Sequence, residues 1–125
     1  MGSSSTSLGR WGEDLAAAHL QAIGLHVLSR GWRPHAQGVR GELDLVAREG
    51  RTVVFVEVKT RSGPWFTPLE AVTATKQHRI RRLAVAWLAV HHAAPGERPA
   101  DLRFDVVAVS RVRGRAVVQH VPAAF

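Results

Sequence analysis

The fold is decided by residues 41–61, which read GELDLVAREGRTVVFVEVKTR. Two β-prone runs in this stretch, about Gly41 to Arg48 and about Thr52 to Thr60, flank the short turn Glu49-Gly50-Arg51. Such a pair of runs around a glycine-containing turn predicts an antiparallel hairpin. Its second strand is nearly apolar along its length, which is typical of a strand in the centre of a sheet.

Two helices are predicted outside this hairpin. The first runs from about Leu8 to Ile23, with Ser7 as its cap and Gly24 at its end. The second begins at the capping box Thr67-Pro68-Leu69-Glu70 and extends to about His92. Its apolar residues recur with helical spacing and predict a buried stripe, formed by Ile80, Leu83, Ala84, Trp87 and Leu88.

Three further strands complete the order α-β-β-β-α-β-β. They are predicted at about Leu25 to Arg30, Leu102 to Ser110 and Ala116 to Val121, with loops at about 31–40 and 93–100. Residues 1–125 are therefore predicted to form one α/β domain, in which helices flank a mixed β-sheet, after a flexible leader at residues 1–7.

The charge of the chain indicates the kind of partner. Lys and Arg number 17 against 10 Asp and Glu, a net charge of +7 that favours a polyanion such as nucleic acid, although an Arg-rich proteome gives the same balance. The absence of cysteine excludes disulfides and cysteine-based sites and fits a cytoplasmic protein. No apolar run approaches the roughly 18 residues of a membrane span, so no membrane partner is expected.

Acidic and basic side chains meet on the hairpin. Strand alternation places Glu57 and Lys59 on one face of the second strand, and Glu42 and Asp44 on one face of the first. A register that brings Asp44 beside Glu57 would pair two carboxylates, which are hard oxygen ligands suited to Mg²⁺ or Mn²⁺. The backbone carbonyl of Val58 is a further candidate ligand. Lys59 could orient an attacking water or offset charge that builds on a phosphate.

Several of these polar residues have two interpretations. The Glu-x-Lys pair could be a solvent-facing ion pair of little consequence. Glu13, on the first helix, is either a peripheral ligand or an acid favoured by the helix dipole. Asp105, inside an apolar strand, either supports the site or makes a strand-edge hydrogen bond. The second helix carries a cluster that either neutralises phosphates or is a solvated face, formed by Lys76, Arg79, Arg81 and Arg82 with neighbouring Gln77.

Blocks along most of the chain resemble a known family. The paired blocks at residues 41–46 and 54–61, with Gly9-Arg10-Trp11-Gly12-Glu13 before them and residues 103–107 after them, resemble the YraN-like family of small bacterial proteins. That family is similar to archaeal Holliday-junction resolvases of the restriction-endonuclease-like, or PD-(D/E)xK, superfamily. The resemblance implies a restriction-endonuclease-like fold.

The resemblance also implies roles for single residues. Glu13, Asp44, Glu57 and Lys59 match the catalytic positions of the superfamily, and each has the expected residue type. Two departures stand beside this match. Leu43 precedes Asp44 where the name of the motif has a proline, and residues 31–33 lack an asparagine of the family.

The function expected from the sequence is that of a Mg²⁺- or Mn²⁺-dependent endonuclease acting on DNA, with branched or damaged structures as candidate substrates. A homodimer is expected by analogy, because resolving a junction needs two symmetric cuts. The main alternative is a non-catalytic nucleic-acid-binding or scaffold module, which would bind without metal and without Glu57. A weaker alternative is an adaptor for an acidic protein, which would have no affinity for nucleic acid at moderate salt.

Overall fold

The computed structural model describes residues 7–35, 38–62, 72–91 and 98–125. Its elements follow the predicted order α-β-β-β-α-β-β. They are α1 (Ser7–Ala22), β1 (His26–Trp32), β2 (Leu43–Glu49), β3 (Thr52–Ser62), α2 (Ala74–His91), β4 (Asp101–Val112) and β5 (Arg115–Val121). The α/β class and the order of its elements are thereby confirmed.

The five strands form one mixed sheet in the order β1-β2-β3-β4-β5. All neighbours are antiparallel except β3 and β4, which run parallel and are connected through α2. A parallel pair needs such a crossover, because a short turn cannot return the chain to the same end of the sheet. The nearly apolar β3 lies at the centre, as its composition predicts, and its residues from Val53 to Val58 are buried.

Each helix covers one face of the sheet with its own apolar cluster. On the α1 side, Ala16 and Leu20 pack with side chains that include Leu45, Val56 and Val107. The α2 side is made by the predicted stripe, of which Ile80, Leu83, Ala84 and Trp87 are buried and Leu88 is partly buried. The alternation of β3 is confirmed, because Phe55 belongs to the α2 side and Val54 and Val56 to the α1 side.

The start of α2 differs from its prediction. The capping box Thr67-Pro68-Leu69-Glu70 lies outside the described residues, but Val72 and Thr73 are not helical, so the helix that begins at Ala74 has another cap. Thr73 Oγ1 accepts a hydrogen bond from the backbone N–H of Lys76 at 3.2 Å, which is the geometry of a helix N-cap. Sequence alone favoured the stronger motif upstream.

Smaller differences concern the ends of other elements. Of the predicted leader, only Ser7 is described, and it is the first residue of α1 rather than its cap. Strand β1 extends to Trp32, into the predicted loop, because residues up to Trp32 pair with β2. Gly50 adopts a φ of +59° in the β2–β3 turn, which explains the glycine at that position.

A glycine brings α1 close to β3. A Cβ at Gly12 would lie 1.9 Å from Oγ1 of Thr60, a distance that no side chain tolerates. Gly12 is itself buried. The absence of a side chain at this position lets the first turns of α1 approach the end of β3 where Glu57 and Lys59 lie, and it places the next residue, Glu13, at the sheet.

Candidate functional site

Two carboxylates lie side by side on β2 and β3. Asp44 and Glu57 each lie one residue beyond Leu45 and Val56, the last pair of the antiparallel β2–β3 register, and Glu57 is close enough to raise the pKa of Asp44. Both acids are buried, at 6% exposure each. The backbone N–H of Val58 donates a hydrogen bond to Oδ2 of Asp44 at 2.9 Å, which fixes that carboxylate against β3. The register that the sequence required for a paired-carboxylate site is therefore present.

Two further acids complete the acidic cluster, which we define as Glu13, Glu42, Asp44 and Glu57. Carboxylate oxygens of Glu13, Glu42 and Asp44 all lie within 4.8 Å of one another, a spacing that could hold a metal ion. Glu13 is buried at 5% exposure and is not in the first turn of α1, so the interpretation as an acid favoured by the helix dipole does not apply. The sequence assigns Glu42 no role, although its position two residues before Asp44 places both acids on one face of the predicted strand; in the structure Glu42 directly precedes β2.

Arg33 holds Glu42 from outside the cluster. Its Nε and Nη2 atoms lie 3.1 and 2.9 Å from Oε2 of Glu42. Both nitrogens contact the same carboxylate oxygen, so this is a charge-assisted contact to Oε2 alone. The contact orients Glu42, while the Arg33 side chain remains exposed.

Burial and crowding make Asp44 and Glu13 hard to ionise. Burial, and after it the neighbouring Glu57, raises the pKa of Asp44 well above its usual range, against the lowering effect of the Val58 N–H. Burial and the adjacent Glu42 likewise raise the pKa of Glu13. Carboxylates placed in this way gain stability from a proton or a cation. A divalent cation is therefore electrostatically suited to the cluster.

Two lysines face Glu57 from different elements. The Nζ atom of Lys59 on β3 is 3.7 Å from Oε1 of Glu57, whereas the Nζ atom of Lys76 on α2 is only 2.7 Å from the same oxygen. Burial, then the neighbouring Lys76, lowers the pKa of Lys59. Although burial acts in the opposite direction, the Glu57 carboxylate raises the pKa of Lys76. Glu57 thus carries a charged partner in Lys76, while Lys59 is the lysine whose proton is more readily lost.

Two clefts open on this group. The larger, about 240 Å³, is lined by Glu13, Glu57, Val58, Lys59 and Lys76, among others. The smaller, about 150 Å³, is lined on its acidic side by Glu42, Asp44 and Glu57 and on its basic side by Lys76 and Arg79. The ion pair of Glu57 with Lys76 borders both clefts, so the acids and the lysine are reachable from solvent despite their burial.

The five residues expected to grip phosphates are not on one surface. Lys76 points to Glu57, and Gln77 donates a hydrogen bond from Nε2 to the backbone oxygen of Val72. The remaining three, Arg79, Arg81 and Arg82, are exposed. The guanidinium of Arg81 lies 4.6 Å from the ring centre of Phe104, where a cation–π contact holds it. Of the three arginines, the structure therefore places only Arg79 at a cleft of those described, and it places Lys76 in the site rather than on the exposed face of the helix.

Asp105 stands apart from the acidic cluster. It is fully buried, and its carboxylate contacts Arg103 Nε, His120 Nε2 and the backbone N–H of Ala123 at 2.8 to 3.0 Å. These bonds connect β4 with β5 and the end of the chain. Of the two interpretations that the sequence left open, the structure favours a structural hydrogen-bonding role.

These features define a mixed-sheet α/β domain with a buried acidic cluster and two lysines at one end of its central strand. Residues 12–109 match the model of the uncharacterised protein family UPF0102, and the chain belongs to this family. The YraN-like family membership predicted from the sequence blocks is thus confirmed.

Relatives from bacteria match along nearly their whole length. A UPF0102 protein from Acidothermus cellulolyticus is 46% identical, with 96% of it and 98% of this chain aligned. One from a Parafrankia species is 50% identical, with 98% of it and 97% of this chain aligned. One from Beutenbergia cavernae is 52% identical, with 92% of each aligned.

Within the described ranges, neither α1 nor α2 is long and apolar enough to cross a bilayer.

Proposed function

We propose that the protein is a metal-dependent endonuclease of the PD-(D/E)xK type that hydrolyses phosphodiester bonds of DNA. The observation that carries this proposal is the group Asp44, Glu57 and Lys59. The two carboxylates are buried side by side on adjacent strands, and the lysine follows on the strand of Glu57 at the border of a cleft. Burial of this many charges is costly for folding, which argues for a chemical use.

The donor set fits a hard divalent cation. Carboxylate oxygens are the preferred ligands of Mg²⁺ and Mn²⁺, and the raised pKa values of Asp44 and Glu13 express the same need for positive charge. Asp44, Glu57 and the carbonyl of Val58 would hold the ion, with Glu13 and Glu42 beside them. When bound, such an ion supplies charge stabilisation to phosphate oxygens and makes water a better nucleophile at neutral pH.

Lys59 and Glu13 have distinct tasks in this proposal. The lowered pKa of Lys59 lets its Nζ atom hold or release a proton at the border of the larger cleft, so it orients the attacking water and offsets charge on the phosphate. Glu13, which lines the same cleft from α1, fixes water or the cation from the opposite side.

Binding of the substrate backbone falls to the exposed arginines of α2. Arg79 lines the smaller cleft, and Arg81 and Arg82 follow on the same helix. With a net charge of +7, the chain attracts a polyanion, and contacts of this kind position a duplex without reading its bases. Branched or damaged DNA remains the substrate class to be tested first, and a homodimer remains the proposed assembly.

The test is cleavage of supercoiled plasmid and of a synthetic four-way junction in Mg²⁺, Mn²⁺ and EDTA. Wild type is compared with Glu57→Ala and Lys59→Ala, and with Glu49→Ala as a control, since Glu49 is an exposed acid at the other end of β2. We expect metal-dependent cutting that both site variants lose and the control retains. Cutting that persists in EDTA, or in Glu57→Ala, would refute the proposed site.

A second function has one observation in its favour. Lys76 already neutralises Glu57 without any metal, as a stable ion pair in a binding module would. A non-catalytic nucleic-acid-binding module predicts salt-sensitive binding of DNA that is unchanged by EDTA and by Glu57→Ala, together with no cutting of any substrate.

A further inference from the structure

Lys76 is fixed at its backbone, and the long side chain allows its Nζ atom to change position. Its backbone N–H is held by the Thr73 cap in the first turn of α2, at 3.2 Å from Oγ1. Its Nζ atom reaches Oε1 of Glu57 at 2.7 Å, and the side chain is 30% exposed. A four-carbon stem with rotatable bonds can therefore carry the charge between Glu57 and the clefts without moving the helix.

The contact of Lys76 has a consequence for the acidic cluster. Among the residues that the structure describes, the carboxylates close enough to share an ion are Glu13, Glu42 and Asp44, and Glu57 is not in this group. Glu57, which lines both clefts, is instead in contact with the Lys76 ammonium through its Oε1 atom. An ammonium and a divalent cation repel each other at ligand distance, so a cation that takes Oε1 of Glu57 as a ligand competes with Lys76 for it.

We propose that Lys76 is an exchangeable counter-ion of Glu57, which a divalent cation displaces and which then binds a phosphate of the nucleic acid. This inference rests on the proposed function and adds a coupling to it. Metal binding releases the ammonium for phosphate, and phosphate draws the ammonium away from the metal ligand. By thermodynamic reciprocity, each ligand then raises the affinity for the other.

Position distinguishes Lys76 from the other nearby cations. Lys59 is 3.7 Å from Glu57, beyond hydrogen-bond distance, and Arg79 lines only the smaller of the two clefts described. Lys76 borders both clefts, so its displaced ammonium remains within the space that a phosphodiester would enter. Substituting Lys59, Lys76 and Arg79 one at a time therefore separates direct competition with a divalent cation for Glu57 from the general effect of nearby positive charge on metal binding.

The first experiment measures Ca²⁺ binding to the full chain by calorimetry without nucleic acid, with CaCl₂ alone as the probe. Loss of a charge-assisted hydrogen bond to the ligand oxygen should raise the affinity of Lys76→Met by roughly 10- to 100-fold over wild type. Lys59→Met and Arg79→Met should gain about threefold or less, because their charges act only at a distance. Equal gains in all three variants, or none in Lys76→Met, would overturn the inference.

A second variant protects this test against misfolding. Lys76→Gln keeps most of the length and polarity of the side chain without its charge, and it should show the same gain as Lys76→Met. Circular dichroism confirms the fold of each variant, and Ca²⁺ should raise the thermal midpoint more in both Lys76 variants than in wild type. A gain in Lys76→Met that Lys76→Gln lacks would contradict the role of the charge.

The coupling is measured by repeating the titration in the presence of a short DNA duplex. The duplex should raise the Ca²⁺ affinity of wild type by a larger factor than that of Lys76→Met. Cleavage in Mg²⁺, measured in parallel, separates the two proposals. If Lys76→Met gains Ca²⁺ affinity but wild type cuts no DNA, the counter-ion role of Lys76 is supported and the nuclease is refuted. If wild type cuts DNA but Lys76→Met gains no Ca²⁺ affinity, the nuclease is supported and the counter-ion role is refuted.

Discussion

Replacing Gly12 by alanine tests how closely α1 must approach β3. The new Cβ would lie 1.9 Å from Oγ1, 2.7 Å from Cγ2 and 2.9 Å from Cβ of Thr60. Rotation of Thr60 about χ1 can move its Oγ1 and Cγ2, but its Cβ is fixed to the backbone. To restore an ordinary contact of 3.4 Å, the two elements must therefore separate by about 0.5 Å even in the best rotamer.

The expected cost follows from two opposing effects. Overpacking of this kind costs up to about 3 kcal/mol. Alanine in place of glycine within a helix returns about 1 kcal/mol through helix propensity. We therefore expect Gly12→Ala to lower the free energy of unfolding by about 2 kcal/mol. The displaced helix also carries Glu13 away from Asp44, so Ca²⁺ affinity should fall with stability.

Urea denaturation of a double-mutant cycle provides the assay. Thr60→Gly removes all three contacting atoms, so Gly12→Ala made in that background should lose its penalty and keep only the propensity gain of about 1 kcal/mol. A neutral or stabilising effect of Gly12→Ala alone would contradict the proposed clash with Thr60. An equal loss of stability with and without the Thr60 side chain would contradict it as well.

Three other expectations concern ionisable groups, of which Asp44 and Asp105 are buried and His19 is partly buried. Asp44→Asn should raise the free energy of unfolding in EDTA at neutral pH by about 1 kcal/mol, because it removes a charge that burial and Glu57 oppose. The same substitution should weaken Ca²⁺ binding. A loss of stability in EDTA would contradict this expectation. Asp105→Asn should cost about 3 kcal/mol by urea denaturation, because it disrupts a buried ion pair, whereas Asp101→Asn, an exposed control, should change stability by less than about 0.5 kcal/mol. Burial, then His120, lowers the pKa of His19, so the unfolded chain binds a proton at this histidine at a higher pH than the folded protein does. The free energy of unfolding should therefore fall as pH drops below 6.5, the ordinary pKa of histidine. His19→Gln should flatten that part of the pH profile, and an unchanged slope would contradict the role of His19.

Much of the fold could be predicted because its signals are local. The alternation along residues 53–59 assigns Phe55 to one face and Val54 and Val56 to the other, as the two apolar clusters confirm. The stripe from Ile80 to Trp87 likewise fixed the buried side of α2. The predicted start of α2 was wrong, because a capping box is only a local preference; the helix begins at Ala74, and Thr73 caps it.

The candidate site was predictable in part for the same reason. Asp44, Glu57 and Lys59 lie in one hairpin, where strand alternation and register limit the geometry to a few arrangements. Glu42 was overlooked as a member of the cluster because its approach to Glu13 depends on α1. Lys76 was assigned to the outer basic surface, since composition cannot tell which lysine of a helix turns toward a distant carboxylate.

The sequence by itself determined the order of helices and strands, the faces that each buries and the residue types of the acidic centre. These properties depend on periodicity within single elements and on one hairpin. Only the tertiary structure decided the contact of Gly12 with Thr60, the pairing of Lys76 with Glu57 and the raised pKa of Asp44. Each of these depends on distances between elements far apart in the chain, because electrostatic and packing energies are set by separation in space.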